Sequence, residues 1–353
     1  MSEVAVIGAG PAGALAAGLL ARAGLAVTLI DPRPEGFRIG EGLPPAARPL
    51  LQALGLLPLG GTLPGHGTLS AWGSDDLGVY DHIGGPYGPG WILDRARFDD
   101  GLRRWACEGG AVLRIARLVG AAPRGDEALE LRLDDGTLLV PAFAIDASGR
   151  PAVLAHRLGA TRTCIDALVA TYIRCRPGVP GDRDTRVLVE AAAYGWWYTV
   201  RVPSGERVVA LLRDHAPGSS SARAEFESQL RSTRFVAATL AAHAYQPLEA
   251  PRGADARTGR LSHVFGDRWL AVGDAAFSVD PLSSQGLVDA LLTADAAAKA
   301  VVAALDGDRG RLPAYGEHAC RLYERYLEHR SATYARERRW PDAPFWQRRH
   351  GPP

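Results

Sequence analysis

Lysine is almost absent from this chain of 353 residues: Lys299 is the only one, and arginine carries the positive charge. The net charge is +1, which gives no basis for a nucleic-acid or anionic-membrane partner. Cysteine is scarce too. Cys107, Cys164, Cys175 and Cys320 are widely separated, and none forms a CxxC pair or lies at metal-ligand spacing from histidine, so no metal site is expected. That usage predicts reduced core thiols in a cytoplasmic protein. No apolar run reaches the roughly 18 unbroken residues of a membrane span. No basic stretch precedes the first apolar run, so a signal peptide is not expected. No internal repeat or low-complexity stretch is visible, and the histidines form no constellation. What remains is 47% hydrophobic, enough for one or two domains with a sizeable core.

The first forty residues read as a nucleotide site. Residues 3–7 form a short Val/Ile-rich run, the pattern of a buried parallel strand. Gly8, Gly10 and Gly13 follow. Ala14 to Ala23 is an Ala/Leu-rich helix signal that ends at Gly24, and Val27–Ile30 reads as a second strand closed by Asp31. Gly8 permits the tight turn. Gly10 admits a pyrophosphate to the backbone, and Gly13 lets helix and strand pack closely. The helix N-terminus offers N–H groups to phosphate, and Asp31 stands where an acid binds ribose hydroxyls. Ala12 and Arg33 belong to the same expected contact set. The motif alone does not separate NAD from FAD.

Later segments make that separation by resemblance. Trp269-Leu270-Ala271-Val272-Gly273-Asp274-Ala275-Ala276 resembles the second flavin motif of the FAD-dependent aromatic hydroxylases, the group A flavin monooxygenases, and of the related tryptophan halogenases. Asp280-Pro281-Leu282-Ser283-Ser284-Gln285-Gly286 resembles their proline loop beside the flavin ring, followed by a helix over Leu287–Leu305. Asp94-Arg95-Ala96-Arg97-Phe98-Asp99 is similar to a segment whose arginine contacts FAD, and Phe143–Arg150 to an Asp-Ala-Ser-Gly turn returning the chain to the nucleotide sheet. The resemblance implies FAD held by Gly273, Asp274, Gln285, Gly286, Leu287, Arg95 and Leu118, with NADPH or NADH, or a separate flavin reductase, as electron source. It implies an α/β fold: a Rossmann-like FAD-binding domain from residues 1–60, 92–160 and 255–310, and a mixed β-sheet substrate domain from 61–91 and 161–254. Residues 311–353 form a C-terminal helical segment and tail. In the substrate domain, strands are expected at Leu168–Arg174, Thr185–Glu190, Trp196–Val202 and Arg207–Leu212, with a hairpin at Pro203-Ser204-Gly205. Helical spacing over Pro313–Arg339 puts Tyr315, Leu322, Tyr326 and Leu327 on one side. Trp340-Pro341 stops that helix, and Phe345-Trp346 should fold back onto the body.

Two motifs narrow the branch. Gly40-Glu41-Gly42-Leu43-Pro44-Pro45 resembles the Gly-Glu-Ser-x-Pro signature of flavin-dependent halogenases, and Gly195-Trp196-Trp197-Tyr198-Thr199-Val200-Arg201-Val202-Pro203 resembles their Trp-x-Trp-x-Ile-Pro motif in altered form. Tryptophan halogenases carry activated halogen on a lysine and place a glutamate in the proline loop. Here no lysine precedes Lys299, which is expected on a solvent-facing part of its helix, and the loop reads Ser283-Ser284-Gln285-Gly286. The chain is more similar to the flavoproteins that mature lysine and glycine oxidases containing cysteine tryptophylquinone. That branch implies O2-dependent hydroxylation of an aromatic ring through a flavin C4a-hydroperoxide. The substrate would be an aromatic small molecule or a tryptophan in a partner protein or peptide. Glu41, Trp196, Trp197, Pro281 and Gln285 are the candidate catalytic residues. Because strand side chains alternate, at most one of Trp196 and Trp197 lines the pocket directly; Tyr198 shares a face with Trp196. The His82 loop and the arginines from Arg336 to Arg349 read as solvated surface, with a lid and a partner-docking patch as the respective alternatives.

Overall fold

The computed structural model describes residues 4–32, 37–82, 84–125, 128–215 and 222–351. Its nucleotide layer is a six-stranded sheet in the order Phe265–Gly266, Trp269–Ala271, Phe143–Asp146, Val4–Ile7, Val27–Ile30, Val112–Arg114. The strands run parallel except for the first pair. Val4–Ile7 is buried along its whole length, as a central parallel strand covered on both faces must be. The first helix runs Pro11–Arg22, three residues ahead of the expected start. Proline at the first helical position has its φ already set, and its missing N–H is one the helix would leave unpaired anyway. Small residues let this helix pack tightly on the long helix Gly286–Leu305. Ala14, Ala16 and Ala17 share a core with Ala290, Ala294 and Ala297.

The second layer is an eight-stranded sheet. Its order is Gln246–Pro247, Leu168–Arg176, Arg207–Asp214, Gly195–Arg201, Val187–Ala192, Gly67–Ala71, Gly78–Asp81, and Arg252–Asp255 also pairs with Leu168–Arg176. The four expected strands are present with shifted ends. Gly67–Ala71 and Gly78–Asp81 extend the sheet from the Gly/Pro-rich region, whose composition hides them. Helices Ala222–Arg231 and Phe235–Ala242 cover the far face. Buried Glu190 caps the second, accepting from the N–H groups of Arg234, Phe235 and Val236 at 2.6, 2.9 and 2.9 Å; those are donors a helix start leaves unpaired.

The C-terminal helix runs Arg311–Tyr334 and a short helix follows at Pro344–His350. Tyr315, Leu322 and Tyr326 are buried, Leu327 half-buried. Phe345 and Trp346 fold back as expected, into an aromatic cluster with Trp72, Trp196 and Tyr334. In the basic tail Arg336, Arg338 and Arg348 are exposed as expected, while Arg349 and Arg339 correct the surface reading. Arg349 is buried, pairs with Asp214 at 2.7 Å and lies 3.6 Å over the Phe345 ring. Arg339 pairs with buried Glu337 at 2.6 Å and with Asp75 at 2.8 Å. Arg339 and Arg349 clasp the tail to the body. The thiols are a second correction: all four are free, yet only Cys175 is buried, while Cys107 and Cys320 are exposed. No helix among the described residues is long and apolar enough to cross a membrane.

Candidate active site

A cavity of about 710 Å³ separates the two layers. One wall is the glycine turn. Gly8 sits at φ +104°, where a Cβ would lie 2.3 Å from the Ala147 carbonyl oxygen. At Gly13 a Cβ would lie 1.8 Å from the Gly8 carbonyl oxygen, so Gly13 serves helix–strand packing and stays off the cavity wall. Gly10 lines the cavity, and a Cβ there would meet nothing within 4 Å. No side chain caps the helix that begins at Pro11. A bare helix N-terminus facing an open, glycine-lined space suits a phosphate group. Ala12, Asp31, Leu118 and Asp274 line the same space. Asp31 is buried and accepts from the Ala9 N–H at 2.6 Å, fixing its carboxylate at the strand end. Asp146 ends the neighbouring strand and stays off the wall; fully buried, it accepts from Ser148 and from the N–H groups of Leu154 and Ala155. These features fit the adenine-dinucleotide end of FAD. Arg33 lies outside the described residues.

The other end of the cavity runs beneath the proline loop. Pro281, Leu282, Ser284, Gly286 and Leu287 line it. Gln285 does not. Its N–H goes to Ser283 Oγ at 3.3 Å and its carbonyl accepts from Asp289, so the loop meets the cavity on either side of it. Ser284 makes the turn at φ +51°, a left-handed conformation that serine adopts at a cost of about 1 kcal/mol. Gly273 is likewise displaced from the wall. At φ +55° it packs where a Cβ would press on Ala12 and Ala290 at 3.1 and 3.3 Å, and its N–H goes to Thr293 Oγ1. Arg95 reaches the cavity, but its guanidinium is held by Asp99 at 3.0 and 3.1 Å and by the carbonyls of Ile39 and Gly40 at 3.2 Å. It braces the segment that carries Glu41. Arg38, a residue the sequence reading passed over, adds a second cation on Asp99 at 3.6 Å.

The eight-stranded sheet forms the roof. Trp196, Tyr198 and Val200 alternate onto the cavity face and continue through Val189 and Val187 to Thr68. Trp197 points the other way. It is fully buried against Phe226, with ring centroids 5.0 Å apart, and its N–H goes to Tyr194. Strand alternation therefore removes Trp197 from the catalytic candidates. Trp196 offers ring surface alone, because its N–H donates to Tyr334 Oη at 3.0 Å, and Tyr334 donates to buried Asp280 at 2.6 Å. That chain ties the roof to the proline loop through the C-terminal helix. Glu41 lines the cavity at 2% exposure. Burial pushes its carboxyl up from 4.5 to about 7, against the pull of backbone N–H groups, Arg95 and Tyr198. Lys299 is distant in kind: its side chain is 74% exposed and pairs with Asp295 one turn away. His82 stays in its loop near the Gly65 carbonyl and does not line the cavity. Among the described residues no cluster of His, Cys, Asp and Glu could hold a metal ion.

Comparison with known proteins agrees with this geometry. The tryptophan halogenase family model matches residues 81–351, and an FAD binding domain model matches residues 1–43. The FAD-dependent oxidoreductase LodB of Marinomonas mediterranea is 29% identical, covering 99% of this chain and 96% of its own. The peptidyl tryptophan dihydroxylase QhpG, essential for tryptophylquinone cofactor biogenesis, superposes with a TM-score of 0.82 at 26% identity, covering 100% of this chain and 79% of that one. The myxobacterial chondrochloren halogenase CndH shares the fold at a TM-score of 0.89 and 23% identity, covering 99% and 85%. The chain belongs to the tryptophan halogenase family and is an FAD-dependent oxidoreductase.

Proposed function

We propose that this flavoprotein is a monooxygenase that hydroxylates an electron-rich aromatic ring, an indole or tryptophan side chain, free or carried by a partner protein or peptide. The observation that carries the reading is the chemistry of the roof. Trp196 and Tyr198 present aromatic surface beside a buried carboxyl, Glu41, and the chain's single lysine sits on solvent-facing helix surface. An activated halogen would find no ammonium to carry it. The likeness to QhpG, which acts on peptidyl tryptophan, supports the same substrate class.

Bound FAD would supply electron transfer and oxygen activation. Gly8, Gly10, Ala12, Asp31, Leu118 and Asp274 would hold its nucleotide end, and Pro281, Ser284, Gly286 and Leu287 its ring end. The protein's own tasks are then exclusion of water and orientation of the substrate ring. Trp196 and Tyr198 provide the flat apolar surface for that orientation, and the Tyr334–Asp280 chain keeps Trp196 fixed. Electrons come from NADPH or NADH, or through a separate flavin reductase.

The family model favours a second reading, halogenation. Mass spectrometry of products from tryptophan, indole and tryptophan-bearing peptides, with and without chloride or bromide, separates the two. A product that gains oxygen in halide-free buffer supports the oxygenase; one that forms only with halide and contains it supports the halogenase.

A further inference from the structure

The aromatic cluster that holds the C-terminal tail also reaches the cavity. Four of the chain's eight tryptophans, Trp196, Trp72, Trp346 and Trp340, touch one another in that order. Ring centroids are 6.4 Å apart from Trp196 to Trp72, 5.3 Å from Trp72 to Trp346 and 6.1 Å from Trp346 to Trp340, the spacing of aromatic rings in contact. The inner end is the cavity roof, where Trp196 shares a core with Leu282 of the proline loop. Trp346 is fully buried in the middle, and Trp340 is half-buried at the surface. Clasping the tail needs only apolar area, which leucine or phenylalanine would supply. An unbroken file of indoles adds a redox property, because indole is the side-chain ring that gives up an electron most readily without losing a proton.

Hydrogen bonds divide the file into an interior and an exit. The Trp72 N–H donates to the Thr333 carbonyl and the Trp346 N–H to the Ala192 carbonyl, both at 2.9 Å. The Trp196 N–H meets the Tyr334 phenol oxygen at 3.0 Å. None of these acceptors is basic enough to take an indole proton. An indole oxidised there stays a cation, and its neighbour can refill it. Trp340 differs: its N–H has no partner among the described residues, and the Arg339 guanidinium lies 4.5 Å over its ring. That cation disfavours positive charge on the ring, and loss of the N–H proton to water relieves it. Tyr334 also touches Trp72 and Trp346, at 5.7 and 6.0 Å. Arg330 and Arg349 lie 5.0 and 5.3 Å over its ring, however, and its oxidation would require the hydroxyl proton to pass to Asp280. The indoles need no such step.

We propose that Trp196, Trp72, Trp346 and Trp340 carry oxidising equivalents from the cavity to the protein surface, a protective route for a site that handles oxygen. The oxidant is an oxygen-centred radical of the hydroperoxyl class, formed when oxygen reduction in the cavity miscarries. It takes one electron from the Trp196 ring and one proton from water, and leaves as hydrogen peroxide. Trp72, Trp346 and Trp340 each pass one electron inward, so Trp196 is restored and the vacancy ends on Trp340. Trp340 then releases its N–H proton to water. A soluble thiol returns one hydrogen atom to Trp340, and two of the resulting thiyl radicals couple to a disulfide. Electron transfer needs ring proximity and not an exposed atom, so the 1% exposure of Trp196 is no obstacle. The route depends on the cavity being a flavin site that meets oxygen, whether the product is hydroxylated or halogenated.

The test uses flavin-loaded oxidised enzyme without substrate or oxygen, with light-excited flavin as the one-electron oxidant. After a blue flash, the wild type should show the absorbance of a tryptophan radical cation that converts to the neutral radical. Added thiol should shorten the lifetime of that neutral radical. Trp340→Phe should lose the neutral, thiol-sensitive phase and keep only a cation that recombines. Trp72→Phe should lose the same phase, with flavin still bound. Trp197→Phe, altered on the opposite face of the strand that carries Trp196, should behave as wild type. Repeated flashes in air without thiol, followed by peptide mass spectrometry, should place oxidation on Trp340 in the wild type and on Trp196 in Trp72→Phe. The wild-type map stands even where a variant fails to fold. No tryptophan radical in the wild type, a neutral radical that persists in Trp340→Phe or Trp72→Phe, or wild-type oxidation that does not reach Trp340 would overturn the proposal. A halogenated product would contradict the proposed reaction and leave these signals intact, so the two failures are distinct.

Discussion

Gly10 and Gly13 stand in one motif, yet replacing each with alanine should produce opposite phenotypes. A Cβ on residue 13 would lie 1.8 Å from the Gly8 carbonyl oxygen and 2.9 Å from the Ala147 Cβ. The first obstacle is backbone, so the helix must move by more than an ångström or the turn must open. Alanine gains up to about 1 kcal/mol in helix propensity, but overpacking of this kind costs about 1–3 kcal/mol or more. A clash this severe belongs at or beyond the upper end. Gly13→Ala should therefore lower the stability of flavin-free protein by at least about 2 kcal/mol. A Cβ on residue 10 meets nothing within 4 Å, and its backbone, at φ −70° and ψ −175°, suits alanine. Gly10→Ala should leave flavin-free stability within about 1 kcal/mol of wild type. Its methyl group would instead project into the space assigned to the pyrophosphate. A steric cost there of about 1–3 kcal/mol weakens FAD binding roughly 5- to 150-fold. Denaturant unfolding of the flavin-free proteins and titration with FAD give both numbers. Equal destabilisation by the two variants, or unchanged FAD affinity in Gly10→Ala, would refute the placement of the phosphate site.

Glu41 supplies a pH-dependent prediction. Its carboxyl is raised from 4.5 to about 7 in the folded protein, so between those values the folded state holds a proton that the unfolded chain releases. Stability contributed by this group falls as pH rises across that window, by up to about 3 kcal/mol. Flavin-free Glu41→Gln should thus gain on wild type between pH 5 and pH 8, and parallel stability–pH curves would contradict the burial argument. The two tryptophans separate next. Trp196→Phe should change substrate KM and lose about 1 kcal/mol with its bond to Tyr334. Trp197→Phe should leave KM alone, and Trp197→Ala should cost about 3–5 kcal/mol of stability. Steady-state kinetics beside thermal unfolding checks the pair. Lys299→Ala should leave product formation unchanged and shift stability by no more than about 0.5 kcal/mol, the worth of an exposed one-turn ion pair; loss of activity would revive the halogen-relay reading.

Local signals in the sequence are legible wherever spacing alone fixes geometry. Strand, glycines, helix and Asp31 follow one another within forty residues, and each has a steric or electrostatic reason visible in the chain. Alternation shows that Trp196 and Trp197 face opposite sides; which of them faces the cavity depends on helices contributed by residues 222–242, beyond any local pattern. The proline loop shows the same limit. The resemblance points to Gln285 through Leu287, while the structure puts Ser284, in a left-handed turn, and Gly286 on the wall and leaves Gln285 off it. Arg339 and Arg349 read as surface because arginine usually is; their partners Asp75 and Asp214 are distant in sequence. The strand Gly67–Ala71 is buried only at its two ends and Gly78–Asp81 is exposed throughout, so they carry a weak hydrophobic period. The sequence marks Glu41 as a candidate, but the burial that raises its carboxyl arises only in the fold, where Tyr198 and the segment braced by Arg95 close around it.

The central claim, an oxygenase and not a halogenase, is met most directly by isotope labelling. Flavin-loaded enzyme is supplied with NADPH or a flavin reductase, a tryptophan-bearing substrate and isotopically heavy dioxygen in halide-free buffer. The account predicts heavy oxygen in the ring of the product, at a yield unaffected by added bromide. A ring that gains nothing without halide, and gains bromine when bromide is added, would contradict it.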